Sequence, residues 1–334
     1  MLLTRTDENV TARLTEWAGR PLSEDETITA LQLLEMQRHL LLMYTSCGWF
    51  FDELSGLETV QVIMYAGRAV QLAEAWCDAG LEATFLDKLA EAKSNLPEHG
   101  DGRQIYLKWV KPTMISLNAV IAHYAISGLF ENYPETAPIY CYTVARGDQH
   151  LHSAGKARII IGKAEVSSHI THEHDTFSYT ALHFENHNIT AGVRHIRTDD
   201  EYAEMVTDLD AAFDRTDVAE SVRLLDSHFE QHLYSLKLLF HDEQIKILDI
   251  IVADERQEAE ALNSGIYDRN VGLLRYLASL HLNVPDVLKF AAEAALRLRL
   301  RAAIERDPLN PDEVRQLLHE AELSAVALDT TDLT

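Results

Sequence analysis

Between residues 139 and 196 the chain alternates apolar and polar side chains with a period of two, whereas the sequence on either side keeps its apolar residues at helical spacing. That switch constrains the fold more than any other feature. A two-residue repeat lines one face of a pleated strand, and a 3.6-residue repeat lines one face of a helix. Ile, Val, Thr, Tyr and Phe dominate the alternating stretch, as strands prefer. It divides into four expected antiparallel strands, 139–146, 156–168, 176–185 and 189–196, with turns at Gly147-Asp148 and Asn186-His187. The expected class is α+β, mainly α: a helical bundle with an inserted antiparallel β-sheet. The bundle covers 1–135, the β segment 136–198, and C-terminal helices over 199–334 pack on the rest.

Helix signals are strong on both sides. Ser23 with Glu26 forms a capping box ahead of a helix over about 28–45, and Thr198 with Glu201 restarts helices after the strands. Further helices are expected at about 57–78, 81–93 and 103–131, the last with a kink or a fresh start at Pro112. After the strands they run over 199–214, 217–229, 242–262, 267–281, 285–306 and 311–324. Asn310-Pro311-Asp312-Glu313 places a cap, a first-turn proline and two acids at the start of the last.

The helices over 28–45 and 57–78 are apolar round most of their circumference, which predicts burial on most sides. Each keeps a narrow polar line: Gln32, Glu35, His39 and Ser46 on the first, and Glu58, Gln61, Tyr65 and Arg68 on the second. Such a line faces either solvent or a cleft. In the second case Glu35, His39, Glu58 and Arg68 pair across the hairpin and form a polar wall.

The connection between these helices carries Trp49, Phe50 and Phe51, then Asp52 and Glu53, between Gly48 and Gly56. A loop that only turned the chain would use polar turn residues instead of three rings. Aromatic faces beside carboxylates suit a sugar, whose C–H face packs on a ring while its hydroxyls donate to the acids. Phe50 and Phe51 are expected to plug the bundle core, leaving Trp49 and Asp52 as the ligand contacts and Glu53 beside them.

Net charge is −24, from 53 acidic and 29 basic residues. Such a surface repels phosphate backbones and anionic lipid, so neither nucleic acid nor membrane is an expected partner, while neutral sugars meet no such penalty. The three cysteines, Cys47, Cys77 and Cys141, are odd in number and share no metal-ligand spacing. With no secretory leader and no run of about 20 apolar residues, a cytoplasmic location is expected. The sequence carries no cofactor fingerprint, and no cofactor is expected.

The segments Leu34-Glu35-Met36-Gln37-Arg38-His39 and Met43 to Gln61, with Ala122-His123-Tyr124-Ala125-Ile126-Ser127 and Tyr234 to Gln244, resemble domain of unknown function 3536 over about residues 25 to 310. The resemblance implies a domain that follows an N-terminal glycoside hydrolase family 57 barrel acting on α-glucans. The implied catalytic pair is a glutamate nucleophile and an aspartate acid/base on that barrel's strands. No barrel precedes residue 25 here, so the expectation is a C-terminal fragment or half of a split enzyme, without catalytic residues of its own and not active alone. Its implied partners are an α-glucan or oligosaccharide and a family 57-type barrel in the same or a neighbouring polypeptide. The alternative is a non-enzymatic helical scaffold that binds another protein through the Trp49 loop.

Eight of the sixteen histidines lie between His150 and His195. His169, His172 and His174, with Glu173 and Asp175 beside them, offer ligands to zinc or another metal, and His183 and His187 are candidates to complete such a site from a neighbouring strand. Without fixed ligand spacing the expected reading is a polar, titratable β face.

Overall fold

In a computed structural model of the chain, which describes residues 5–77, 80–196, 198–230 and 232–328, the alternating stretch forms one antiparallel sheet. Six strands follow in sequence order: β1 (Thr136–Ile139), β2 (Tyr142–Ala154), β3 (Ala157–Ser168), β4 (His174–His183), β5 (Ile189–His195) and β6 (Leu233–Ser235). Two boundaries differ from expectation. The expected strand 139–146 is broken because the chain reverses at Tyr140-Cys141, with Tyr140 at a positive φ and Ile139 paired to Tyr142. Gly147-Asp148 is not a turn but an irregularity inside β2, where the register to β3 shifts between Arg146 and Gln149. β6 is three residues long, too short to leave a periodic signal.

The central strands are covered on both faces. On one face Ile160 and Tyr179 meet α6 (Leu117–Ser127): Tyr124 sets its ring edge-on to Tyr179 at 5.7 Å, and both hydroxyls reach Gln149. On the other face Ile159, Ile161 and Leu182 join Met205, Leu209 and Phe213 of α7 (Asp199–Asp214) and Leu225 and Phe229 of α8 (Val218–Phe229). Gly192 is needed here, because a Cβ on it would stand 2.2 Å from the ring of Phe229.

The helices before the sheet are α1 (Asp7–Ala18), α2 (Glu24–Leu42), α3 (Leu57–Glu74), α4 (Leu81–Leu89) and α5 (Gly102–Ile105). The Ser23–Glu26 capping box is formed. α1, which no periodic signal foretold, packs Val10 and Leu14 on Leu31. The expected helix 103–131 is interrupted. After α5 come a wide π turn and a tight turn at Lys111–Thr113 around Pro112, and α6 starts afresh under the cap of Ser116. The helix expected at 57–78 ends in regular form at Glu74, and its last residue, Asp78, lies outside the described residues.

The chain divides into two compact units, Met1–Ile247 and Leu248–Thr334. α9 (His241–Ser279) is continuous where two helices were expected, and is followed by α10 (Asp286–Ile304) and α11 (Pro311–Leu323). Tyr267, Leu274, Ala292, Ala295, Leu296 and Ala321 form the core of the second unit. Asn310 caps α11 with Pro311 in its first turn. No helix among the described residues is long and apolar enough to cross a membrane.

Candidate functional site

The α2–α3 hairpin carries two features a ligand can reach. The first is the connecting loop. A tight turn at Ser46–Trp49 brings the backbone of Gly48 against α3, so closely that a Cβ on Gly48 would lie 2.5 Å from Val62. Buried Thr59 donates its hydroxyl to the Gly48 carbonyl at 2.9 Å. At the far end the Glu53 carboxylate accepts from the Ser55 amide at 2.8 Å, the Ser94 hydroxyl at 2.7 Å and the Asn95 amide at 2.8 Å. The Ser94 hydroxyl and the Ser55 amide hold its pKa at about 2. The loop is thus pinned at both ends.

Between the pins the rings stand in solvent: Trp49 is 75% exposed, Phe50 79% and Phe51 54%. Phe50 and Phe51 therefore do not plug the core. They pack edge-on against each other at 5.3 Å, because the core of this region is already filled by Leu54, Val60, Ile63, Ile105 and Tyr106. Asp52 is exposed, and its carboxylate has no hydrogen bond or ion pair among the described residues.

The second feature is a cleft along the flank of the hairpin, against the 110–118 segment and the loop that follows β3. It consists of two hollows of about 250 and 270 Å³ that share Arg68, Gln71, Ile115, Tyr142 and Ser168. The polar lines of both helices face it: Gln32, Glu35 and His39 from α2, and Gln61, Tyr65 and Arg68 from α3. This inverts the expected burial of α2. Gln32 and Glu35 are buried, while Leu33, Leu34 and Leu41 face outward. Burial of Glu35 is offset by hydrogen bonds from His39 (3.1 Å), Arg38 (3.2 Å) and Arg5 (2.9 Å). Burial pushes its carboxyl up, but those three donors together hold it well below the usual carboxylate range. Glu35 is therefore a fixed anion and a poor proton donor.

His39 turns Nε2 toward Glu35, and its Nδ1 is shut from solvent with no hydrogen-bond partner among the described residues. Arg68 donates through Nη1 to Gln71 at 2.7 Å and to the Ile115 carbonyl at 3.4 Å, and meets no carboxylate among the described residues. Farther along, Glu173 and Asp175 enter the cleft with His195, which lies 3.0 Å from Asp175. Burial raises the Tyr142 hydroxyl to about 12, so it stays protonated and can donate. The walls thus carry both donors and acceptors.

A family model described as Domain of unknown function (DUF3536) matches residues 1–240. The chain belongs to the DUF3536 family. The match starts before the span of resemblance read from the sequence and stops earlier, close to the end of the first unit at Ile247. No curated protein and no solved structure matches the chain.

Within this DUF3536 chain the seven residues singled out from sequence fall into separate groups. Glu35, His39 and Arg68 line the cleft; Trp49 and Asp52 lie exposed on the loop; Glu53 clasps that loop to residues 94–95. Glu58 is half-buried in the first turn of α3 and makes no ion pair among the described residues. The expected pairing across the hairpin is absent: Glu35 is taken by Arg5, Arg38 and His39, and Arg68 by amide oxygens.

Sequence reasoning missed Gln71 and Tyr142, and it placed Glu173 and Asp175 with the histidine cluster instead of in this cleft. Gln71 extends the polar line of α3 by one helical turn and was legible there; Tyr142, Glu173 and Asp175 arrive from the sheet region, and no local signal tied them to the cleft. The histidines of 169–187 do not converge. His169 bonds Thr143, His172 faces Asp7 at 3.7 Å, His174 faces Glu24 at 3.9 Å, and His183 reaches the Asn186 carbonyl.

Proposed function

We propose that this chain is the accessory module of a glycoside hydrolase family 57-type, α-glucan-active enzyme, helping to close a carbohydrate site whose catalytic carboxylates sit on a separate barrel. One observation carries the reading: an indole three-quarters exposed on a loop pinned by Thr59 and Glu53, beside an acid whose carboxylate has no partner among the described residues. Holding an aromatic face in water before any ligand arrives lowers the ordering cost of binding. The polar walls of the cleft add hydroxyl donors and acceptors on the same hairpin. Glu35 is locked as an anion, so it does not serve as a general acid, and catalysis by this chain alone is not part of the proposal.

The test is to mix the purified chain with a family 57-type barrel and follow turnover of maltooligosaccharides. The expected result is activity created or raised on mixing, with Trp49→Ala and Asp52→Asn each reducing the gain. Barrel activity that is unchanged on mixing overturns the reading.

A second reading has its own support. Tyr44, Phe50, Phe51 and Leu57 are exposed around Trp49, giving more apolar surface than a sugar platform needs. On that reading the loop is the anchor of a protein-binding scaffold. Maltooligosaccharide titration of the isolated chain separates the two: a change in Trp49 fluorescence belongs to the first, and silence with retained partner binding belongs to the second.

A further inference from the structure

We propose that His150, His152 and Asp210 form a binding site for a divalent metal ion of the zinc class. The site lies on the α7-covered face of the sheet and shares no residue with the cleft.

The placement follows from the pleat. His150 and His152 are two apart on β2, and their cross-strand partners are Ile161 and Ile159, which bury their side chains under α7 and α8. Both imidazoles therefore point to the α7 side at the outer margin of that core, where the His152 ring lies 6.4 Å from Phe213. α7 supplies the third group. Asp210 sets one carboxylate oxygen 3.4 Å from His150 Nδ1 and the other 3.2 Å from His152 Nε2. All three residues bring a ligand atom within 4.8 Å of one another.

The distances and the hydrogen bonding both favour a cation. Ligands about 2.0–2.1 Å from a tetrahedral zinc stand about 3.3 Å apart, close to both carboxylate–imidazole separations. His152 Nε2 and Asp210 Oδ1 are each shut from solvent, yet neither has a hydrogen-bond partner among the described residues. Their 3.2 Å contact misses hydrogen-bond geometry, and a cation between the two atoms would satisfy both.

The surroundings select the required tautomer. His150 Nε2 lies 3.2 Å from Asp148, which also accepts from the buried Tyr202 hydroxyl at 3.0 Å. A proton held on Nε2 by that carboxylate leaves the Nδ1 lone pair aimed at the site, as in a carboxylate–histidine–metal relay. Asp148 lies within the register shift of β2 between Arg146 and Gln149, two residues before His150. The three side chains remain partly exposed, so an ion can enter from solvent and keep water in its remaining positions. Two imidazoles and a carboxylate suit zinc and its neighbours better than magnesium or calcium, which take oxygen donors.

The test uses the full chain with its purification tag removed, stripped with chelator and titrated with zinc against a competing chromophoric chelator. The expected result is a single tight equivalent per chain. Asp210→Asn and His152→Ala should abolish it, and Asp148→Asn should weaken it by about tenfold to a hundredfold. His172→Ala and His174→Ala should leave it unchanged. Cobalt loaded in place of zinc should give visible d–d absorption that Asp210→Asn removes while the far-UV circular dichroism of that variant stays that of the parent. No tight equivalent in the parent chain overturns the site, as does zinc binding that survives Asp210→Asn or is lost on His172→Ala instead. In either case the three groups are an ordinary histidine–carboxylate cluster.

Discussion

The His123 imidazole, in the middle of α6, packs 4.7 Å from the ring of Phe240, although the two are far apart in sequence. Tyr140 meets both rings edge-on and donates its hydroxyl to Asp242. Two of the segments that carry the family resemblance therefore meet in one aromatic cluster, enclosed at His123 and open to solvent at Tyr140, and their role there is packing.

That cluster predicts a pH effect. Burial pulls His123 down to about 4 from an ordinary 6.5; Asp242 and Glu131 pull the other way, and Lys246 adds to the fall. In the unfolded chain this imidazole takes up its proton below about 6.5, and in the folded chain only below about 4. Stability is therefore full above the first value and is lost as pH falls toward the second, by up to about 3 kcal/mol for this group. Urea denaturation at a series of pH values checks it. His123→Leu should flatten the loss between pH 6.5 and 4, and an unchanged slope in that variant refutes the assignment.

Glu35 gives a second acid-side loss with a different origin. Its depressed carboxyl contributes stability at neutral pH that begins to fall once pH drops below the ordinary value of 4.5. Glu35→Gln leaves Arg5 and Arg38 without their anion. Both are about one-third exposed, so the expected cost is about 2 kcal/mol, below the range for a fully enclosed pair. Equilibrium unfolding at pH 7 measures it, and a neutral result would mean that water replaces the carboxylate freely.

Gly48→Ala should force the Trp49 turn away from α3, since the new methyl meets Val62. A cost of about 1–3 kcal/mol is expected from such overpacking. Adding Val62→Ala should recover part of that cost, even though it opens a small hole. A double-mutant cycle on thermal unfolding reads the coupling, and purely additive effects count against the contact.

Glu53→Gln keeps the shape of the clasp but weakens its bonds to Ser94 and Asn95. Faster amide exchange at Ser55 and Asn95 is expected, with little change elsewhere in the chain. The near-UV circular dichroism of Trp49 should weaken as the loop loosens. Protection at those two amides equal to the parent would show that the clasp is not what holds the loop.

Local rules read much of this fold directly. The period-two stretch became strands, Ser23, Thr198 and Asn310 capped the helices they were expected to cap, and Pro112 stopped one helix and let another begin. Each is a short-range matter of backbone geometry and hydrogen bonds. The polar lines on α2 and α3 were legible as well, because helical spacing alone shows which residues share a face. Which of the two faces turned inward was not legible. Leu33, Leu34 and Leu41 went to solvent and Gln32 and Glu35 to the interior because the 110–118 segment and the loop after β3 close over the polar side.

By itself, then, the sequence determined the type of the long elements that follow α1, the place where helices give way to strands, and a loop too aromatic for a simple turn. The tertiary structure alone decided what stands opposite each face: Arg5 on Glu35, Tyr142 and Glu173 in the cleft, and Asp210 against His150 and His152. The physical reason is that periodicity records a direction from the backbone, whereas a binding site depends on groups that arrive from distant segments through packing.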